Sequence, residues 1–160
     1  MNIEEKSKKP AFVADAHLGK VAKYLRFAGY DTLFFPDRST SELAEIAQRE
    51  HRILLSRSGR FPERSFFCRI LPAALPELLA ELAARFPLEE FYAPFSRCTV
   101  CNTPLEPLKP SELPSSVPPG VRSRFTEFRL CPGCHRVYWQ GSHYRRMDEC
   151  WRKIFSRLSD

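Results

Sequence analysis

The sequence predicts an α/β domain built on a parallel sheet, followed by a small metal-stapled module. Three observations carry this prediction. Short apolar runs alternate with amphipathic stretches over residues 11–86, the rhythm of parallel strands joined by crossover helices. Four of the 6 cysteines fall as two pairs, Cys98-x-x-Cys101 and Cys131-x-x-Cys134. Between those pairs, residues 104–119 hold six of the 14 prolines, a texture of loop rather than core element.

The elements follow in order. "AFVAD" (11–15) reads as a short strand ending at an acid. In the next segment Leu18, Val21, Ala22 and Leu25 have helical spacing, and Gly29 is a natural stop. "DTLFFPD" (31–37) is a second strand, with Asp31 read as a loop residue at its start. "STSELAEIAQREH" is a helix: Ser39 and Glu42 are spaced as a capping box, and Leu43, Ile46 and Ala47 form the apolar stripe. "RILLS" is a third strand and "SFFCRIL" (65–71) a fourth. "LPELLAELAARF" (75–86) is a helix with Pro76 in its first turn. The last segment, from "SHYRRM" onward, is an amphipathic helix. Its stripe of Met147, Cys150, Trp151, Ile154 and Leu158 is expected to dock on the first domain or on the metal module. The expected divisions are an N-terminal arm (1–10), the sheet domain (11–94), the four-cysteine module (95–142) and the terminal helix (143–160).

Composition narrows the functional classes. Hydrophobic residues are 43% and charged residues 28% of the 160-residue chain, an ordinary globular balance. There is no apolar run of about 18 residues that would span a membrane. The N-terminal "MNIEEKSKKP" is polar, carries both signs of charge and lacks the apolar core of a signal peptide. The expectation is a soluble cytoplasmic protein with a flexible N-terminal arm. The net charge of +6 is uneven: residues 1–95 have 14 Lys+Arg against 13 Asp+Glu, and residues 96–160 have 11 against 6. The C-terminal part is the electrostatic face, suited to a polyanion.

Two CxxC turns separated by 29 residues suit one tetrahedral metal site, because each turn aims two thiolates at one point. Zinc is favoured over iron. Four thiolates leave no open coordination position, so such a metal staples the module and does not catalyse. A zinc deaminase would need a His-x-Glu partner, which the sequence lacks. Thioredoxin-like chemistry uses one CxxC, not a matched pair. Cys68 and Cys150 lie in apolar patterns and are assigned to packing.

Beside the second knuckle stands "HRVYWQGSHYRR". It mixes aromatic faces with cations: His135, Arg136, Tyr138, Trp139, His143, Tyr144, Arg145 and Arg146. Rings stack on bases and guanidinium groups pair with phosphates, the usual chemistry for single-stranded nucleic acid. The structural alternative has Tyr138 and Trp139 packing the ribbon and His143 capping the helix. In the first domain Asp15, Asp37 and Glu42 stand at strand ends and a helix start, where carboxylates can converge on a hard divalent cation.

The segments "DAHLGKVAKYLRFAGYDT" (15–32), "RILLSR" (52–57), "FSRCTVCNTPLEPL" (95–108) and "CPGCHRVYWQGSHYRRM" (131–147) together resemble the Mut-seven C-terminal RNase family. The resemblance covers about residues 11–150. It implies a PIN-like three-layer α/β/α domain carrying a C-terminal zinc ribbon. It also implies a ribonuclease that uses Mg or Mn. RNA, in single-stranded form, is the partner expected from the aromatic and cationic cluster beside the second knuckle, and no membrane is expected from the lack of a long apolar run. By position, Asp15 is the first-strand acid, Glu42 the second-helix acid, and Asp37 lies nearby. The family's third acid ends an "LLTRD" strand; this chain has "LLSRS", so Ser58 stands where that aspartate would be. A neutral hydroxyl is a poor ligand for a hard dication. Three readings stay open: an enzyme using Asp15, Asp37 and Glu42; a nuclease fold that binds RNA without cutting it; or a site completed by another carboxylate such as Glu63. Arg57 and Arg60, beside Ser58, suit phosphate contact in each.

Overall fold

A computed structural model describes residues 8–59 and 66–159. Residues 1–7 of the N-terminal arm, Arg60 and Glu63 therefore lie outside the described residues. Four short strands, β1 (Phe12–Ala14), β2 (Thr32–Phe34), β3 (Ile53–Ser56) and β4 (Phe67–Arg69), form a parallel sheet in the order β2-β1-β3-β4. Helices α1 (Gly19–Phe27), α2 (Thr40–Arg49) and α3 (Leu75–Arg85) connect or follow them. A single 3-10 turn, Ala16–Leu18, stands between β1 and α1.

The sheet is covered on both faces, which makes three layers. Side chains alternate along a strand, and here they feed two cores. Phe12, Ala14 and Leu55 join a large core with α1 and α3, while Val13 and Leu54 join a smaller one under α2. The local signals act as expected. The Ser39 side chain accepts from the Glu42 N–H while the Glu42 carboxylate accepts from the Ser39 N–H, a reciprocal capping box that starts α2. Past α1, Gly29 has φ +93, and a Cβ there would come within 2.6 Å of the Ala93 carbonyl oxygen. Only glycine fits that turn.

After α3 the chain leaves the sheet domain, builds the cysteine module and returns. The return is α5 (Ser142–Ser159), whose Met147, Trp151, Ile154 and Phe155 enter the large core beside α1 and α3. Trp151 is wholly buried, stacks on Phe155 at 5.4 Å and donates its indole N–H to the Tyr24 carbonyl of α1 at 3.1 Å. The terminal helix thus docks on the first domain, and the cysteine module is an excursion from it. Leu158, counted in the apolar stripe, is exposed. Cys68 is buried and Cys150 half-buried, both against this core.

The proline-rich segment differs from its expectation as loop. It contains β5 (Glu106–Leu108), a 3-10 turn (Pro110–Glu112) and a short helix α4 (Pro119–Arg122). Strand β5 pairs antiparallel with β6 (Phe128–Leu130), which pairs with β7 (Val137–Tyr138). Pro107 is accommodated because β5 is an edge strand, where a missing N–H costs no ladder bond. Leu113, Val117 and Phe128 form a small core of their own.

Candidate functional site

Each CxxC turn folds around its own sulfur. The Cys101 N–H lies 3.4 Å from the Cys98 sulfur, and the Cys134 N–H 3.4 Å from the Cys131 sulfur. The residue after each pair takes a left-handed backbone: Asn102 at φ 71 and His135 at φ 58. The two knuckles are therefore near copies. The antiparallel pairing of β5, which follows the first knuckle, with β6, which leads into the second, brings them together until all four Sγ atoms lie within 4.8 Å of one another. The Cys98–Cys134 and Cys101–Cys131 sulfur separations are 3.6 and 3.3 Å. Disulfide sulfurs sit about 2.05 Å apart, whereas a tetrahedral zinc with bonds of about 2.3 Å sets its sulfurs about 3.8 Å apart. The geometry suits a metal.

The electrostatics agree. Burial pushes the Cys134 thiol up to about 12 and also raises Cys131. At Cys101, hydrogen bonds from Thr103 outweigh burial and bring the thiol down to about 6. Four thiolates this close repel one another unless a cation sits among them. Tyr138 adds a hydroxyl 3.0 Å from the Cys98 sulfur, and the Thr103 hydroxyl lies 3.3 Å from that of Cys101. Tyr138 thus packs against the cysteine cluster, and Trp139 joins the ribbon's second core.

The first knuckle is keyed into the edge strand of the parallel sheet. The Asn102 side chain accepts from the Thr32 N–H of β2 at 3.0 Å and donates to Asp31 at 2.8 Å. Asp31 also pairs with Arg52 at 2.8 Å. Arg26, buried on α1, donates to the Thr32 carbonyl and to the Val100 carbonyl, each at 2.8 Å. Asp31 is therefore no simple loop residue: it joins the sheet domain to the ribbon. Burial alone would raise its carboxyl, but the hydrogen bonds from Arg52 and Asn102 prevail and hold it below the ordinary value. The sequence signal for this joint was Asn102, a residue type that tolerates left-handed backbone, directly after a CxxC.

Asp15 lies at the opposite end of the sheet. Strand order β2-β1-β3-β4 makes the crevice between the carboxyl ends of β1 and β3 the topological switch point, where open α/β sheets bind ligands. Parallel register pairs Ala14 with Leu55, so Asp15 and Ser56 meet there. Asp15 is buried, with 7% exposure. Its Oδ1 accepts the His17 N–H at 3.0 Å; its Oδ2 accepts the Ser56 hydroxyl at 2.6 Å and the Arg57 N–H at 3.0 Å. Ser56 is wholly buried, and its Oγ in turn accepts the Ser58 N–H at 3.0 Å. Ser56 is the functional neighbour that sequence reasoning passed over in favour of Ser58.

The other two acids stand apart. Asp37 is exposed in the turn after β2, with no ion pair or side-chain hydrogen bond among the described residues. Glu42 is exposed, and its Oε2 accepts both the N–H and the hydroxyl of Ser39, at 2.8 and 2.7 Å. Those bonds hold its carboxyl below the usual range. Among the described residues the four cysteines are the group of three or more ligand side chains that converges on one point; Asp15, Asp37 and Glu42 form no such group. Arg57, Arg136, Arg145 and Arg146 are exposed, and His143 lies 3.3 Å from the Lys23 amine of α1.

A family model for the Mut7-C RNAse domain matches residues 10–151. The chain belongs to that family. Comparison with curated proteins and with solved structures gives no match. The Mut7-C match runs through the sheet domain, the ribbon and the first half of α5, in line with their joint construction. Among the described residues no helix is long and apolar enough to cross a membrane.

Proposed function

We propose that this Mut7-C RNAse domain protein hydrolyses RNA phosphodiester bonds at the Asp15 corner and grips single-stranded RNA with the ribbon and the start of α5. The observation that carries the reading is the placement of Asp15: a buried carboxylate fixed at the switch point of an open parallel sheet. Three donors fill three of the roughly four lone-pair sites of that carboxylate. One site remains. That fits a magnesium or manganese ion of the kind held by one or two carboxylates with water and phosphate making up the rest. Asp15 would hold it; Glu42, tied to Ser39 in its capping box, and Asp37 stand apart from that corner, so water and phosphate would complete the coordination. Bound there, the ion would supply an activated water and neutralise phosphate charge. The four cysteines would hold a structural zinc. Arg57 supports strand contact beside Asp15, and Arg136, Tyr138, Trp139, His143, Arg145 and Arg146 support it at the ribbon.

The test is incubation of purified protein with labelled single-stranded RNA, with and without Mn²⁺. Chelator-sensitive cleavage is expected, and Asp15→Asn should abolish it while retaining the turn. A second reading, RNA binding without cleavage, is favoured by the separation of the three acids and by the hydroxyls of Ser56 and Ser58. It predicts salt-sensitive binding that survives Asp15→Asn and weakens when Arg145 and Arg146 are neutralised.

A further inference from the structure

A cavity of about 240 Å³ opens where the ribbon, the end of α1 and the start of α5 meet. Its walls include Phe27, Phe95, Tyr138, Trp139, His143 and Tyr144. Tyr144 sets the shape, lying 5.1 Å from the Phe27 ring and edge-on to Phe95 at 5.8 Å. The Trp139 indole lies close over Gly141, where a Cβ would stand 2.8 Å from its Nε1. The chamber is aromatic and open to solvent on one side.

Cations gather there: Arg97 lines the cavity, and Lys23 and Arg146 flank the lining residue His143, while the acid near Tyr144, Glu127, pairs with Arg129 at 3.6 Å. The Lys23 amine donates to the His143 ring nitrogen at 3.3 Å, and Arg146 follows one turn along α5. Burial and the charges of Lys23 and Arg146 together lower the His143 pKa. Asp148, the next acid on α5, is already taken by Tyr92 at 2.8 Å and Arg152 at 2.7 Å. An aromatic chamber beside a group of cations matches a ring joined to a phosphate.

We infer that this cavity seats the unpaired base of one nucleotide of an RNA strand, with its phosphate against Lys23, His143 and Arg146. This rests on the RNA reading above and adds to it a defined subsite and a residue of α1. Helix α1 begins just past Asp15 and reaches this rim at Lys23, so a strand anchored here runs along α1 toward the Asp15 corner.

Fluorescence anisotropy of a short labelled single-stranded RNA, against the same strand with base-free riboses, tests it on the unaltered protein. The base-bearing strand is expected to bind about tenfold or more tighter, the worth of a stacked base. Ser142→Phe, a change at an exposed position lining the cavity, should remove that preference. Lys23→Ala should weaken both strands alike and lower the salt slope by about one. Equal affinity for the two strands, or a preference that survives Ser142→Phe, overturns the cavity assignment while leaving RNA binding intact. If neither strand binds at low salt, the RNA reading falls and the inference with it.

Discussion

The cysteine cluster and the Asp15 corner are both built to hold charge, yet they treat it in opposite ways. At the cluster, four sulfurs face one another with separations as short as 3.3 Å and little else to neutralise them. At the corner, three protein donors already surround one carboxylate. The first arrangement suits a cation among its sulfurs; the second supplies its carboxylate with donors of its own. A buried polar group is costly when unpaired and cheap when paired, so metal is expected to matter for the fold at one end of the molecule and not at the other.

Removing the metal from the cluster is the largest available perturbation. Structural zinc in small modules contributes apparent binding energies of about 10–16 kcal/mol, far more than the cores around Leu105 and Leu113 supply. The purified protein should carry one zinc per chain by elemental analysis. Strong chelation, or Cys131→Ser, should strip hydrogen-exchange protection from β5, β6 and β7. Strands β1 to β3 and helix α1 should keep theirs, since they form a separate core. Equal loss in both regions would show that the two are one cooperative unit and would break the contrast.

The corresponding change at the corner is smaller. Ser56→Ala removes the hydroxyl that lies 2.6 Å from Asp15 and leaves the Ser58 N–H without its acceptor. A hydrogen bond to a charged group is worth about 1.5–3 kcal/mol. Urea denaturation should show a loss of that size, with the slope unchanged and zinc fully retained. A neutral result would mean that water replaces the hydroxyl, and the corner would then be more open than its burial indicates.

A third effect lies at the joint between the two regions. Asp31 has a depressed carboxyl pKa in the folded protein, so it contributes stability that is present above its ordinary value of 3.8 and lost as pH falls through the lower folded value. Asp31→Asn should therefore be less stable than the parent at neutral pH and should converge on it only as pH falls below 3.8 and through that lower folded value. The carboxylate side chain is 37% exposed, and solvent screening limits the difference to about 1 kcal/mol. Paired urea titrations across that range would show the convergence; a constant gap would mean that shape, not charge, holds the joint.

What the sequence disclosed follows the same division. The capping box at Ser39, the stop at Gly29 and the two knuckles are written within a few residues of chain, and each stands where its spacing predicts. The joint and the corner are not local. Asp31 meets Arg52 and Asn102 across 21 and 71 residues. Asp15 meets Ser56 across 41 residues, and only parallel register decides which residue of "LLSRS" faces it. Strand β5 was hidden for another reason: its central residue is a proline, which sequence rules assign to loops unless the strand is known to be an edge.

The smallest effect on folding carries the most about function. On the family resemblance Ser58 is expected to stand where the pattern has an aspartate, and its N–H is one hydroxyl removed from the Asp15 carboxylate. Ser58→Asp would bring a second negative charge to that corner. Without a cation the two charges repel, so stability should fall by a fraction of a kcal/mol to about 1 kcal/mol, as for like charges in partly solvated sites. With Mn²⁺ the sign should reverse, because two carboxylates and a dication attract where two carboxylates alone do not. Thermal melts of the variant and the parent, with and without Mn²⁺, read this directly. A melting temperature that rises with Mn²⁺ in the variant and not in the parent would place residue 58 at the cation position. It would also make the parent's corner a site lacking one ligand. If Mn²⁺ shifts neither protein, the new charge is facing solvent, and the ligand that completes Asp15 has to come from another part of the chain.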